Sequence, residues 1–144
     1  MIEVTRTLNI NANPDRVWQS IADFGAVSSF ISTIKECTTE GPDGVGQLRH
    51  LILEDDSLTT SRAAVLDHDQ RILSYEIVTT KLPMDDYSST MTVTARDDNS
   101  CNVSWCSRFQ AAGVLPEKIE DYIGLQLETA LKNLKAMHEE DHSH

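Results

Sequence analysis

Arg49 carries the strongest chemical signal in the chain. It lies in the run Leu48-Arg49-His50-Leu51-Ile52-Leu53, where two-residue spacing puts it beside Leu51 and Leu53 on one face of a strand. A guanidinium on an apolar face is very costly unless it meets an acid, water or a ligand. Two roles fit equally: an anchor for a carboxylate, phenolate or enolate oxygen, or a structural arginine paired with a carboxylate. Tyr75, Tyr87 and Tyr122 each join an apolar ring to a hydroxyl that needs a partner when buried. Gln126 falls on the apolar face of a helical stretch, where an amide is expensive unless bonded. Together these groups would orient the polar tip of a ligand. Ser61 and Ser89 have no histidine on their faces, so nucleophilic catalysis lacks a base.

The other reactive residue types assemble nothing. His50 falls on the strand face opposite Arg49, His68 sits in a polar turn, and His138, His142 and His144 crowd an acidic C-terminal stretch. Cys37, Cys101 and Cys106 have no metal-ligand spacing, and Cys101 and Cys106 fall on opposite faces of one strand. There is no HExxH, and the glycine-rich connection at 41–46 lacks the Gly-Lys-Ser/Thr of a phosphate loop. The expectation is therefore no metal and no cofactor, with catalytic residues unassigned.

The elements that must position these residues follow from periodicity. Residues 2–10 alternate as a half-buried strand, with Arg6 an unexplained cation on the apolar side. Asn13-Pro14 starts a helix carrying Val17, Trp18 and Ile21, and a second short helix is expected over 26–30. From 34 to 111 the chain reads as six strands separated by polar turns, the last two forming a hairpin across the four-residue turn 97–100. On these last strands Tyr87 and Ser89 share a face with Met91, and Trp105 shares one with Phe109. Pro116 opens a long helix over about 116–138, whose apolar face includes Ile119, Tyr122, Ile123, Gln126, Leu127, Leu131 and Leu134. A single domain, 1–138, is expected, with a frayed acidic and histidine-rich tail at 139–144.

The chain has 144 residues, enough to bury a core without a disulfide or metal staple. Its 12 Lys and Arg against 23 Asp and Glu give a formal charge of −11, which repels phosphate backbones and argues against nucleic acid as a partner. No apolar run is long enough to span a membrane, and Met1–Arg6 lacks a signal-peptide layout. With unpaired thiols, a cytoplasmic monomer or homodimer is the expectation.

One motif set runs nearly end to end. It comprises Asn13-Pro14-x-x-Val17-Trp18, Ala22-Asp23-Phe24, Gly46-x-x-Arg49, Asp67, Tyr75-x-Ile77, Leu82-Pro83-x-x-x-Tyr87 and Trp105-x-x-x-Phe109. In this order the chain resembles the START-like (SRPBCC) superfamily, nearest its polyketide cyclase/dehydrase-like branch. The resemblance implies an α+β helix-grip fold: a curved seven-stranded antiparallel sheet around a long C-terminal helix, with two short helices after the first strand. It implies an internal cavity faced by Arg49, Leu51, Leu53, Ser61, Tyr75, Ile77, Tyr87 and Ser89, to which the residue patterns add Trp105, Phe109, Tyr122 and Gln126. The superfamily's hormone-receptor branch is a poorer match. Its gate falls on Glu54-Asp55-Asp56-Ser57-Leu58, its latch on Leu82-Pro83-Met84 and its anchoring lysine on Ile31.

Three functions follow in order. The first is binding or carriage of a small, mostly apolar or amphipathic molecule (lipid, polyketide or aromatic-like), with Arg49 anchoring an acidic or carbonyl oxygen. The second is a polyketide cyclase/aromatase-type enzyme, with Arg49 stabilising an enolate while Tyr75 or Tyr87 donates a proton. The third is a protein-interaction module, which would show a filled cavity and an exposed apolar patch.

Overall fold

A computed structural model describes the backbone of residues 1–142 and the side chains of residues 1–139. Seven strands form one antiparallel sheet: β1 (Ile2–Ile10), β2 (Ile34–Glu40), β3 (Leu48–Leu53), β4 (Leu58–Asp67), β5 (Ile72–Thr79), β6 (Met84–Asp97) and β7 (Ser100–Ala111). Their order is β1-β7-β6-β5-β4-β3-β2. The last six are a meander, and β1 closes on β7 in unbroken register from Ile2↔Phe109 to Ile10↔Cys101. β1 and β2 are neighbours in sequence yet lie at opposite edges. The chain crosses between them through α1 (Pro14–Ala22) and a 3-10 helix, Phe24–Ser29.

Local chemistry sets these boundaries. The Asn13 side chain accepts from the Asp15 and Arg16 amides at 3.0 and 3.2 Å and caps α1, with Pro14 at its first position. The Asn13 amide also donates to the Asp98 carbonyl at 3.0 Å, tying that cap to the β6–β7 turn. This turn is tighter than the four residues expected, because Asp97 and Ser100 already pair across the ladder. Register shifts in β2, β4 and β6 bend the sheet, and Asp86 takes φ 54° at one of them.

The curved sheet wraps α2 (Pro116–His142), 27 residues or about 40 Å long. Ile119, Ile123, Leu127, Ala130, Leu131 and Leu134 form its buried stripe. The helix passes the expected end at 138, because Glu139 accepts from the Asn11 amide at 2.9 Å and pairs with Lys135, which also donates to the Asn9 carbonyl. Of the expected frayed tail, residues 143 and 144 lie outside the described residues. Arg6 also finds its reason here: its Nε donates to Glu128 at 2.9 Å, and its guanidinium lies over Gly124, where any Cβ would come within 2.5 Å of it. No helix among the described residues is long and apolar enough to cross a membrane. All three cysteines are free thiols.

Candidate functional site

The sheet and α2 do not meet everywhere. Between them lies a cavity of about 110 Å³ with a predominantly apolar wall. Alternation along the strands aims the wall. Arg49 and Leu51 come from β3, Ser61 from β4, Tyr75 and Ile77 from β5, Tyr87 from β6 and Trp105 from β7. Cross-strand register joins Arg49 to Ser61 and Ser61 to Ile77, so the strand contributions stand side by side. The helix supplies Tyr122, Ile123, Gln126 and Leu127 from its sheet-facing side.

Arg49 is 4 % exposed. Its Nη1 donates to the Phe24 carbonyl at 3.2 Å, and its guanidinium carbon lies 3.9 Å from the Phe24 ring centroid and 4.6 Å from that of Tyr75. Its Nε has no partner, and no carboxylate among the described residues forms an ion pair with it. Burial pushes its pKa down, opposed by the Tyr75 and Tyr87 phenols and the Cys37 thiol. Two aromatic faces compensate a desolvated cation by about 2 kcal/mol each. Desolvating an ion costs several kcal/mol, and the net lowering of the Arg49 pKa means that burial outweighs these contacts and leaves the charge under-compensated.

Beside it stands a buried hydroxyl cluster. Tyr87 Oη lies 2.8 Å from Ser107 Oγ and 3.3 Å from Ser89 Oγ, the two serines are 2.7 Å apart, and Trp105 Nε1 donates to Ser89 at 2.8 Å. Burial raises the Tyr87 phenol far above its usual range, so it stays neutral at any physiological pH. The Tyr75 ring packs against both groups, its centroid 4.6 Å from the Arg49 guanidinium carbon and 6.4 Å from the Tyr87 centroid. At the opening, Tyr122 is 40 % exposed. Its pKa is raised by partial burial and by Asp55 and Glu54 on the β3–β4 turn. Gln126 Oε1 accepts from Thr33 at 3.2 Å.

Ten of the twelve expected cavity residues therefore line one space: Arg49, Leu51, Leu53, Ser61, Tyr75, Ile77, Tyr87, Trp105, Tyr122 and Gln126. Ser89 and Phe109 do not. Ser89 is enclosed by its bonds to Tyr87, Ser107 and Trp105, and Phe109 is fully buried with its ring stacked against Tyr87 at 5.8 Å. Both stand behind the wall. Tyr122 lies at the rim rather than on the fully buried stripe expected of it.

Sequence reasoning missed Ser107, although its alternation with Trp105 and Phe109 placed it on their face. It also missed Phe24, whose ring and carbonyl hold Arg49 from a segment without periodicity, and Thr33 in the following turn. His50 and His68 bond away from the cavity. The first meets Thr60 and Glu40, and the second accepts from Trp18 Nε1 at 3.0 Å.

Comparison with known proteins agrees with this architecture. A family model described as polyketide cyclase / dehydrase and lipid transport matches residues 1–139. Among solved structures, the protein XoxI from Bacillus cereus is 25% identical with a TM-score of 0.91, covering 100% of this chain and 99% of that one. A START superfamily protein from Mycobacterium smegmatis is 13% identical with a TM-score of 0.85, covering 96% and 97%. Norcoclaurine synthase from Thalictrum flavum, solved with dopamine and hydroxybenzaldehyde, is 15% identical with a TM-score of 0.73, covering 94% and 85%. No curated protein gives a significant match.

Proposed function

Because the chain belongs to the polyketide cyclase / dehydrase and lipid transport family of START-like proteins, we propose that it binds a small, largely apolar molecule whose acidic or carbonyl oxygen rests on Arg49. The observation that carries this reading is the buried guanidinium with an unpartnered Nε on the wall of an apolar cavity. A structural arginine in such a place would be expected to hold a carboxylate, since an unpaired buried charge costs several kcal/mol. Here rings and one carbonyl surround it, which leaves its outstanding partner to come from a ligand.

Volume limits that ligand. Cavities of about 150 Å³ accept benzene, so about 110 Å³ matches one ring or a short branched chain rather than a full acyl chain. The remaining wall polarity is neutral: Ser61, Thr59, Gln126 and the phenols. Such a wall orients a bound molecule by hydrogen bonds while Leu51, Ile77, Ile123 and Leu127 take its apolar body.

Native mass spectrometry of freshly purified protein is expected to show a co-purifying small molecule. Titration with benzoate and toluene tests the anchor directly. Arg49→Ala should weaken benzoate about tenfold or more and leave toluene nearly unchanged. Equal losses for both would refute the anchor.

A further inference from the structure

The hydroxyl cluster behind the cavity wall has a direction. Trp105 Nε1–H can only donate, and it donates to Ser89 at 2.8 Å. Each of Ser89, Ser107 and Tyr87 brings one proton, and two proton orders run along their two shortest links. In the first, Ser89 donates to Ser107 at 2.7 Å and Ser107 donates to Tyr87 at 2.8 Å, which leaves the Tyr87 proton only the long 3.3 Å contact to Ser89 or an acceptor on the cavity side. In the second, Tyr87 donates to Ser107, Ser107 to Ser89, and Ser89 to the Cys106 carbonyl, a contact of 3.3 Å. The links of the first order within the cluster are 2.8 Å or shorter, whereas the second spends the Ser89 proton on a 3.3 Å contact to the Cys106 carbonyl. Short links are the strong ones, and bonds polarised in one sense reinforce each other.

The other end of the polar cluster is also donor-only. Arg49 cannot accept a hydrogen bond, and its Nε proton has no acceptor. The Tyr75 ring lies against both Arg49 and Tyr87, its centroid 4.6 Å from the guanidinium carbon and 6.4 Å from the Tyr87 centroid. Both ends of the cluster therefore carry N–H groups that cannot accept, and the Arg49 end lacks an acceptor.

We infer that Trp105, Ser89 and Ser107 are positioning residues that hold Tyr87 as a donor toward the cavity, making the site selective for an acceptor-only oxygen (a carbonyl or oxyanion) over a hydroxyl. This rests on the reading of the cavity as a ligand site and narrows its ligand class. An acceptor-only oxygen takes the Tyr87 and Arg49 protons with none left over, whereas a hydroxyl-bearing ligand brings a further proton that needs an acceptor of its own or stays buried unpaired.

Three probes of one ring each separate the cases. Benzaldehyde accepts only, benzyl alcohol accepts and donates, and toluene does neither. The full chain should bind benzaldehyde about tenfold more tightly than benzyl alcohol, one hydrogen bond's share of affinity. Ser107→Ala cuts the chain between Ser89 and Tyr87. It should reduce that preference to about twofold or less without changing toluene affinity, and Ser107→Thr should restore it. The infrared carbonyl stretch of bound benzaldehyde should rise in Ser107→Ala and return in Ser107→Thr, which loss of packing alone would not produce. Tyr87→Phe, which keeps the ring against Phe109, is expected to give the same loss and serves if Ser107→Ala does not fold. Equal affinity for benzaldehyde and benzyl alcohol with both above toluene, or a preference untouched by both variants, overturns this inference and leaves the cavity reading standing, whereas equal affinity for all three removes the carbonyl anchor as well. Failure of every probe to bind overturns both.

Discussion

Arg6 on β1 and Arg49 on β3 both occupy the apolar side of their strands. Around Arg6 the fold supplies what a cation needs: Glu128 one turn along α2 at 2.9 Å, and Gly124 to clear the space. Around Arg49 it supplies two aromatic rings, one backbone carbonyl and no carboxylate among the described residues. Arg6 is partly exposed and fastens the edge of the sheet to the helix, while Arg49 is buried against a hollow. The same side chain is thus paired with a carboxylate where it fastens the fold and left without one where it faces the hollow. On the proposed reading, stability and binding separate between these two regions.

The largest expected effect comes from exchanging each arginine for an apolar side chain of similar length. Arg49→Met removes an under-compensated buried charge and should stabilise the fold by about 1–3 kcal/mol while abolishing the preference for benzoate over toluene. Arg6→Met breaks only a half-exposed ion pair and should change stability by about 1 kcal/mol or less in the opposite direction. Urea midpoints of the two variants check this. If Arg49→Met is the more destabilised of the two, Arg49 is structural and the contrast collapses.

Alkaline pH probes the same contrast from the hydroxyl side. Burial holds the Tyr87 phenol above its ordinary pKa of about 10. Above that pH the unfolded chain releases the proton and the folded chain keeps it. The Tyr87 contribution is therefore complete below about pH 10 and is lost as pH rises beyond it, by up to about 1.4 kcal/mol per pH unit. Tyr87→Phe should flatten this decline between pH 10 and 11 in urea-unfolding series. An unchanged slope would mean that the phenol reaches solvent.

Much of this was legible in the residues, and the boundary between legible and hidden is physical. Strand alternation gave the sheet, and 3.6-residue spacing gave α2, because both patterns are repeated many times over. The same alternation aimed Arg49, Tyr75 and Tyr87 inward, since a strand side chain has only two faces to choose from. Ser89 and Phe109 share those faces and yet stand behind the wall, because the depth of a side chain depends on sheet curvature and on what packs in front of it. Alternation carries no information about either. Phe24 and Thr33 come from short non-repeating segments, and the partner of Arg6 lies 122 residues away. Such contacts are made by tertiary approach, which leaves no local signature.

A smaller effect tests whether Gly124 exists to accommodate Arg6. Alanine in a helix is favoured over glycine by about 1 kcal/mol, but a Cβ at 124 would displace the guanidinium. Gly124→Ala should therefore be close to neutral alone and stabilising by about 1 kcal/mol in an Arg6→Ala background. A double-mutant cycle on urea midpoints reads the coupling directly, and simple additivity would show that the glycine serves something else.

The smallest effect reports on Arg49 without any ligand. Cys37, on β2, is half-buried, and its thiol pKa is raised by burial and lowered by the Arg49 charge. Removing the cation leaves burial unopposed, so in Arg49→Met the thiolate becomes scarcer at a given pH. Alkylation by iodoacetamide at pH 8, followed at Cys37 by peptide mass mapping, should slow severalfold relative to the wild type, because the thiolate is the reacting form. Arg6→Met should leave the rate unchanged, since Arg6 is not among the charges acting on Cys37. Benzoate bound at Arg49 should slow the reaction in the wild type in the same sense, by cancelling the field that the thiolate depends on. Equal rates in the wild type and Arg49→Met would show that the guanidinium is already neutralised in the free protein, and the distinction between the two arginines would then be one of burial alone.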